Sequence, residues 1–326
     1  MSGIERLQAF VSCKKGAVID MRIIQGTTDF KLENKSAVAI GKFDGMHLGH
    51  QKLLNKVLEQ KNNGLISVIF TFDPAPEAFF RGRLLQGLMT KEEKRFAFDK
   101  LGIDVLIEFP MNKETAATEP ERFVTEYLTG KLGAAVIVAG TDISFGNKGA
   151  GDAELLKRMA KSNGYHAEII DKVTFEGQEI SSTLIRDTVR RGDMESVTLL
   201  MGEPYQISGI VSHGRRFGRT IGMPTANLIP SGEKLLPPSG VYYSYAWVEG
   251  VRYKAISNVG CKPTVTDDKI MGVETYFYDF DDVIYGKELT VELLSFKRPE
   301  MKFENLEALK SQMQKDISEG RRYFEN

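Results

Sequence analysis

The 326 residues are 42% hydrophobic and 27% charged, with 43 basic against 44 acidic side chains and a net charge of −1. That length accommodates two domains with real cores, since domains commonly run ~100–200 residues. Balanced charge gives no electrostatic footing for nucleic acid or an anionic membrane as the main partner.

Cys13 and Cys261 are the two cysteines, far apart and without CxxC spacing. Such usage argues against a disulfide or a structural zinc and fits a reducing cytoplasm. The opening MSGIERLQAF lacks the basic stretch and apolar core of a signal peptide. Apolar runs such as AAVIVAG at 134–140 are far short of the ~20 residues that span a bilayer.

Along the first half, short apolar runs predict strands at Ala37–Ile40, Ile66–Phe72, Asp104–Phe109, Ala135–Ala139 and Ala167–Ile170. Helical spacing lies between them, at Gln51–Lys61, Glu119–Leu132 and Gly151–Ser162. Strand–helix alternation of this kind predicts a Rossmann-like parallel sheet covered on both faces, with ligands at the carboxyl ends of its strands. Between Arg186 and Pro204 the rhythm changes. Gln206–Ser212, Val241–Val248, Arg252–Val259, Gly272–Phe280 and Glu288–Phe296 are rich in Val, Ile, Tyr and Phe, and Glu249–Gly250 reads as a hairpin turn. This half predicts an antiparallel β-barrel or sandwich. A terminal helix follows at Leu306–Tyr323, with Asn305 as its N-cap. The fold class is therefore α/β followed by all-β, with domains at 1–190 and 191–326.

GKFDGMHLGH at 41–50 falls at a strand-to-helix turn. His47 and His50 border a helix N-terminus, where free N–H groups and the dipole favour phosphate, and Gly49 lets the backbone approach closely. Two imidazoles there can donate to a triphosphate as charge builds on its oxygens. They could equally be a metal pair or plain turn residues, although a metal wants further ligands and the chain has only four histidines. ISSTLIR at 180–186 supplies Ser182 and Thr183 to cap a helix and hold phosphate oxygens, and Arg186 as a guanidinium fork.

These segments resemble the HxGH nucleotidyltransferases. TFDPAPEAFF at 71–80 and GTDISFG at 140–146 narrow the resemblance to the FMN adenylyltransferase module of bacterial FAD synthetases. The resemblance implies a nucleotide site from Gly41, Phe43, Asp44, Gly45 and Gly49 around catalytic His47 and His50. It implies flavin contacts from Phe80, Asp142 and Phe145. Ala75 departs from the histidine common between the two prolines of that family, and Ile143 from its usual aromatic.

GRRFGRTIGMPTAN at 214–227 joins a Gly/Arg-rich loop to a Pro-Thr-Ala-Asn tetrad. Glycines and arginines can wrap a diphosphate, through Gly214, Gly218 and Arg219 here, while Thr225 and Asn227 offer oxygens to Mg²⁺. An arginine-bearing surface turn is the other reading. The stretch resembles the flavokinase signature GxxxGRxxGxPTAN. NVGCKPT at 258–264, VETYFYDFDDVIYG at 273–286 and KRPEMKF at 297–303 extend that resemblance. It implies that Glu274 is the general base for the riboflavin 5′-hydroxyl. DFDD at 279–282 reads as a solvated turn.

Both modules in this order resemble the bifunctional riboflavin kinase/FMN adenylyltransferases. The resemblance implies riboflavin, FMN, FAD and ATP with Mg²⁺ as the ligands, and small molecules rather than nucleic acid or membranes as partners. Oligomeric state stays open. An HxGH adenylyltransferase for pantetheine phosphate or nicotinamide mononucleotide would have no use for the second half. A flavin-binding protein without catalysis would not need His47, His50, Arg186, Thr225, Asn227 and Glu274 together.

Overall fold

The computed structural model describes residues 20–83, 85–212, 222–263 and 269–325, which fall into two units dividing between Ser182 and Thr183. The first is built on β1 (Arg22–Gln25), β2 (Ser36–Ile40), β3 (Ile66–Asp73), β4 (Val105–Pro110), β5 (Ala134–Gly140) and β6 (His166–Ile170). All pairings are parallel, in the order β1-β4-β3-β2-β5-β6. Strands buried on both faces cannot alternate with polar residues, and β2 is buried at all five positions. Val38, Phe70, Ile107 and Ile137 fill the core on which Phe123 and Leu128 pack. The chain runs outward from β2 through β3 to β4, then returns to place β5 on the other side of β2. That reversal is the topological switch point, where such sheets open a crevice.

Around the sheet lie α1 (Leu48–Glu59), α2 (Pro76–Arg81), α3 (Lys91–Lys100), α4 (Lys113–Ala116), α5 (Pro120–Arg122) and α6 (Ala153–Asn163). The helix expected over 119–132 begins as α5 and continues as a π-helix, Phe123–Lys131. Thr129 Oγ1 donates to the Val124 and Thr125 carbonyls there, competing with the ordinary ladder. Edge strand β1 is absent from the sequence expectations because its four residues, RIIQ, bury only one side chain. A short hairpin, β7 (Thr174–Phe175) and β8 (Gln178–Glu179), precedes α7 (Ser182–Arg191).

The second unit contains α8 (Met194–Met201) and six strands: β9 (Tyr205–Ser212), β10 (Ala226–Leu228), β11 (Gly240–Val248), β12 (Val251–Pro263), β13 (Lys269–Phe277) and β14 (Glu288–Pro299). They pair antiparallel in the order β10-β13-β12-β11-β14-β9, and the β9–β10 pairing closes the barrel. Closure decides between the barrel and the sandwich and leaves no open edge. Glu249 and Gly250 both take positive φ (50° and 84°), as a two-residue hairpin requires. The terminal helix α9 (Leu306–Tyr323) is capped by Asn305, whose side chain accepts from the Ala308 N–H at 2.8 Å. Arg298 of β14 forks onto buried Asp316 of α9, Nη2 to Oδ2 at 2.6 Å, and ties the helix to the barrel.

Candidate active sites

In the first unit, the loop after β2 is held in an uncommon backbone. Phe43, Gly45 and Met46 have φ of 49°, 92° and 37°. Left-handed non-glycine residues are costly and persist where packing over-determines them. Phe43 and Met46 are buried here at 0% and 1% exposure, so the core anchors the loop. A Cβ on Gly45 would lie 2.6 Å from Leu88 Cδ1, so both space and φ demand glycine. The Asp44 carboxylate is also buried and accepts from the Leu88 and Met89 N–H groups at 2.8 and 3.2 Å. Its own carbonyl accepts from Ser182 Oγ at 2.8 Å. Asp44 thus knits the 41–47 loop to residues 88–89 and to the start of α7. Ser182, from the second segment expected at the nucleotide, therefore meets the first.

His47 is the N-cap of α1, and its Nδ1 accepts from the His50 N–H at 3.3 Å. The ring proton consequently belongs on Nε2, which is left as a donor. The two imidazoles stack with centroids 3.7 Å apart, and His50 also packs on Phe43 at 5.3 Å. His50 Nδ1 is buried without a hydrogen-bond partner. Burial pushes the His47 pKa down to about 4, against the opposing pull of Asp44 and Asp142. Burial, and then the neighbouring His47, hold His50 well below the usual range too. Both rings are neutral at physiological pH.

That state has a thermodynamic consequence. The unfolded imidazole takes its proton near pH 6.5, whereas folded His47 refuses it until about 4. Its contribution is complete above pH 6.5 and is lost as pH falls. The loss approaches about 3 kcal/mol by linkage. Denaturant titrations between pH 7 and 4 should show this loss, and His47→Gln should make it smaller while leaving the part due to His50. A wild-type stability unchanged over that window would contradict the assigned protonation states.

Asp142 follows β5 and is exposed, reaching Lys172 Nζ at 3.7 Å. It lies two residues past the carboxyl end of β5, the strand that pairs with β2 across the switch point. Phe145 is 3% exposed and packs on Phe123 at 5.4 Å, whereas Phe80 on α2 is 67% exposed and touches Phe79. One ring is fixed in the core and the other faces solvent. Gly41 and Gly49 flank the loop, and a Cβ on Gly49 would come 3.1 Å from the His47 ring. Thr183 is exposed and Arg186 partly buried on α7.

In the second unit, register does the assembling. Glu274 of β13 pairs directly with Asn227 of β10 on one side and with Asn258 of β12 on the other. Directly opposed residues share a face, giving an amide–carboxylate–amide row. Two cavities flank this row. One, of 530 Å³, is lined by Thr225, Asn258, Glu274 and Glu300, with Met313 and Ile317 of α9. The other, of 460 Å³, is lined by Thr225, Asn227 and the 279–285 loop. Both sizes suit small molecules. Thr225 and Tyr276 border both, and Glu274 borders the first. Asp279, Asp281 and Asp282 are exposed, and Asp279 pairs with Arg321 at 3.0 Å. Gly214, Gly218 and Arg219 lie outside the described residues.

Sequence reasoning missed two members of this site. The Asn258 amide donates to Glu300 Oε1 at 3.2 Å, and a Cβ on Gly260 would lie 1.9 Å from that oxygen. The carboxylate thus lies over bare backbone. NVG at 258–260 and E at 300 were visible within motifs, but their pairing across 42 residues was not.

Histidines at the switch point of a parallel sheet, and a carboxylate lining a cavity of a closed barrel, are arrangements that suit a transferase handling nucleotides. The FAD synthetase family profile matches residues 29–184 and the riboflavin kinase profile residues 201–324. The bifunctional riboflavin kinase/FMN adenylyltransferase of Bacillus subtilis is 36% identical over 90% of this chain and 93% of its own. The protein of the same description from Listeria monocytogenes is 35% identical over 91% and 95%. A solved structure described as a macrolide-efflux protein from Streptococcus pneumoniae superposes with a TM-score of 0.83 at 29% identity, covering 93% of this chain and 99% of that one. Among the described residues no helix is long and apolar enough to cross a membrane. The chain belongs to the bifunctional riboflavin kinase/FMN adenylyltransferase family. It is an enzyme of flavin cofactor synthesis.

Proposed function

We propose that each reaction has its own site, with adenylyl transfer in residues 1–190 and riboflavin phosphorylation in residues 191–326. The observation that carries this reading is the row Asn227–Glu274–Asn258 between two cavities, wholly separate in sequence from the histidine loop. In the second unit the cavity walled by α9 suits riboflavin, because Val241, Met313 and Ile317 give it apolar sides. The cavity against Asn227 and the 279–285 loop suits ATP. Glu274 takes the proton of the 5′-hydroxyl as that oxygen attacks the γ-phosphorus. The bond to the β-phosphate oxygen breaks and ADP leaves. A Thr225 hydroxyl and an Asn227 amide are hard oxygen donors of the kind that suits Mg²⁺ brought in with the nucleotide. Bound there, the ion would neutralise charge on the transferred phosphate.

In the first unit, a phosphate oxygen of FMN attacks the α-phosphorus of ATP and pyrophosphate leaves. The nucleophile is already ionised, so no base is required. His47 and His50 donate from neutral rings to the triphosphate as charge moves onto the departing oxygens. The positive-φ loop 41–46 and Ser182 hold the phosphates, while Phe80, Asp142 and Phe145 contact the flavin. Gly214, Gly218 and Arg219 wrap the kinase nucleotide. A reducing cytoplasm suits an enzyme whose described cysteine, Cys261, is free and exposed.

Incubating the pure chain with riboflavin, ATP and Mg²⁺ should yield FMN and then FAD on chromatography. EDTA should abolish both, and Mg²⁺ should restore both. FMN without FAD, even when FMN is supplied directly, would remove catalysis from the first unit. Turnover that survives EDTA would remove the hard-cation assignment.

A further inference from the structure

One buried carboxylate in the first unit has no part in the chemistry above. Glu108 stands near the end of β4 at 4% exposure, paired in register with Thr71 of β3 and Gln25 of β1. An ionised carboxylate so placed is expensive unless it is both paired and hydrogen-bonded. Here it is. Arg95 grips it with a two-point fork, Nε to Oε1 at 2.9 Å and Nη2 to Oε2 at 2.6 Å, and Lys91 Nζ lies 3.2 Å from Oε2. Lys91 also pairs with Asp73, and Arg95 also donates to the Gln25 side chain.

Lys91 and Arg95 are four apart on α3, so they share one face. That face brings two cations onto the carboxyl ends of β1, β3 and β4 together, the edge from which a sheet of this type presents its ligand. Burial tends to discharge Lys91, but the Asp73 and Glu108 carboxylates outweigh it and hold the ammonium charged. Asp73 is the last residue of β3. Three residues later Pro76 starts α2, the helix that carries Phe80.

We propose that Glu108 is a positioning residue for the flavin substrate of adenylyl transfer. It fixes Lys91, Lys91 fixes Asp73, and the 73–76 turn and α2 thereby hold Phe80 in register for the isoalloxazine ring. The assignment rests on the reading of the first unit as the adenylyltransferase. A network that merely braced the sheet would lower stability without choosing between substrates, so a difference between substrates is the discriminating readout.

The experiment uses the full chain with Glu108→Gln and, separately, Lys91→Met. FAD formation is followed with FMN and ATP varied in turn, and riboflavin phosphorylation is measured on the same samples. Displacement of a positioning element commonly costs one to two orders of magnitude, so the KM for FMN should rise roughly tenfold or more in both variants. The KM for ATP and the phosphorylation rate should stay within about twofold of wild type. The double variant should be no worse than the worse single one, because both break a single chain of contacts. Lys91→Met removes a partly exposed side chain, so it carries the test if Glu108→Gln unfolds the first unit. Unchanged KM for FMN in both variants, or equal rises for FMN and ATP, overturns the proposal. Wild-type protein that makes no FAD at all overturns instead the reading on which it rests.

Discussion

Replacing Glu274 with glutamine lowers riboflavin phosphorylation by ~10²–10⁴-fold, the usual worth of a positioned general base. Glutamine keeps the shape and can still hydrogen-bond, so the Asn227 and Asn258 flanks and both cavities should survive. What is lost is a group able to take the 5′-hydroxyl proton as the oxygen attacks. Adenylylation of supplied FMN should stay within about twofold of wild type, because the change touches none of the transition-state contacts in the first unit. Continuous assay of ADP release with riboflavin, beside pyrophosphate release with FMN, separates the two rates. Equal loss of both in a folded variant would mean one shared site.

His50→Ala has the mirror-image effect. It removes a donor to the triphosphate as pyrophosphate departs, a contribution typically worth ~3–4 kcal/mol, so FAD formation should fall by ~10²–10³-fold. FMN should still accumulate from riboflavin at the wild-type rate. His50 also packs on His47 and Phe43, so the variant removes a wall of the pair as well as a donor. His50→Gln, which restores an amide N–H near the same place, should recover part of the loss. A loss expressed only as a raised KM for ATP would recast His50 as a ground-state binder.

Local signals in the sequence sufficed for several elements whose determinants are contiguous. Apolar runs for β2, β3 and β5 were legible because a parallel strand buried on both faces has no polar alternation. Glu249–Gly250 and Asn305 were legible because turn and cap chemistry act over two to four residues. Helix α3 carried a readable signal that was passed over: Thr90 and Glu93 form a reciprocal capping box. The π-helix was not legible, since ladder register depends on packing as well as on Thr125 and Thr129. Nor were the long pairings. Ser182 bonds to Asp44 across 138 residues, and Asn258 bonds to Glu300 across 42. Asp44 shows the limit most clearly. Its motif suggests phosphate, yet its buried carboxylate accepts from the Leu88 and Met89 N–H groups, a loop contact no spacing rule reveals.

Two sites in one chain, each able to work without the other, can be tested in a single tube by mixing the two variants. Folded His50→Ala alone should convert riboflavin to FMN and stop there, while folded Glu274→Gln alone should make almost no product from riboflavin. Mixed in equal amounts with riboflavin, ATP and Mg²⁺, they should form FAD on chromatography, because FMN released by the first protein is the substrate of the second. If His50→Ala releases FMN and the mixture still yields no FAD beyond the sum of the separate reactions, the two-site account is wrong.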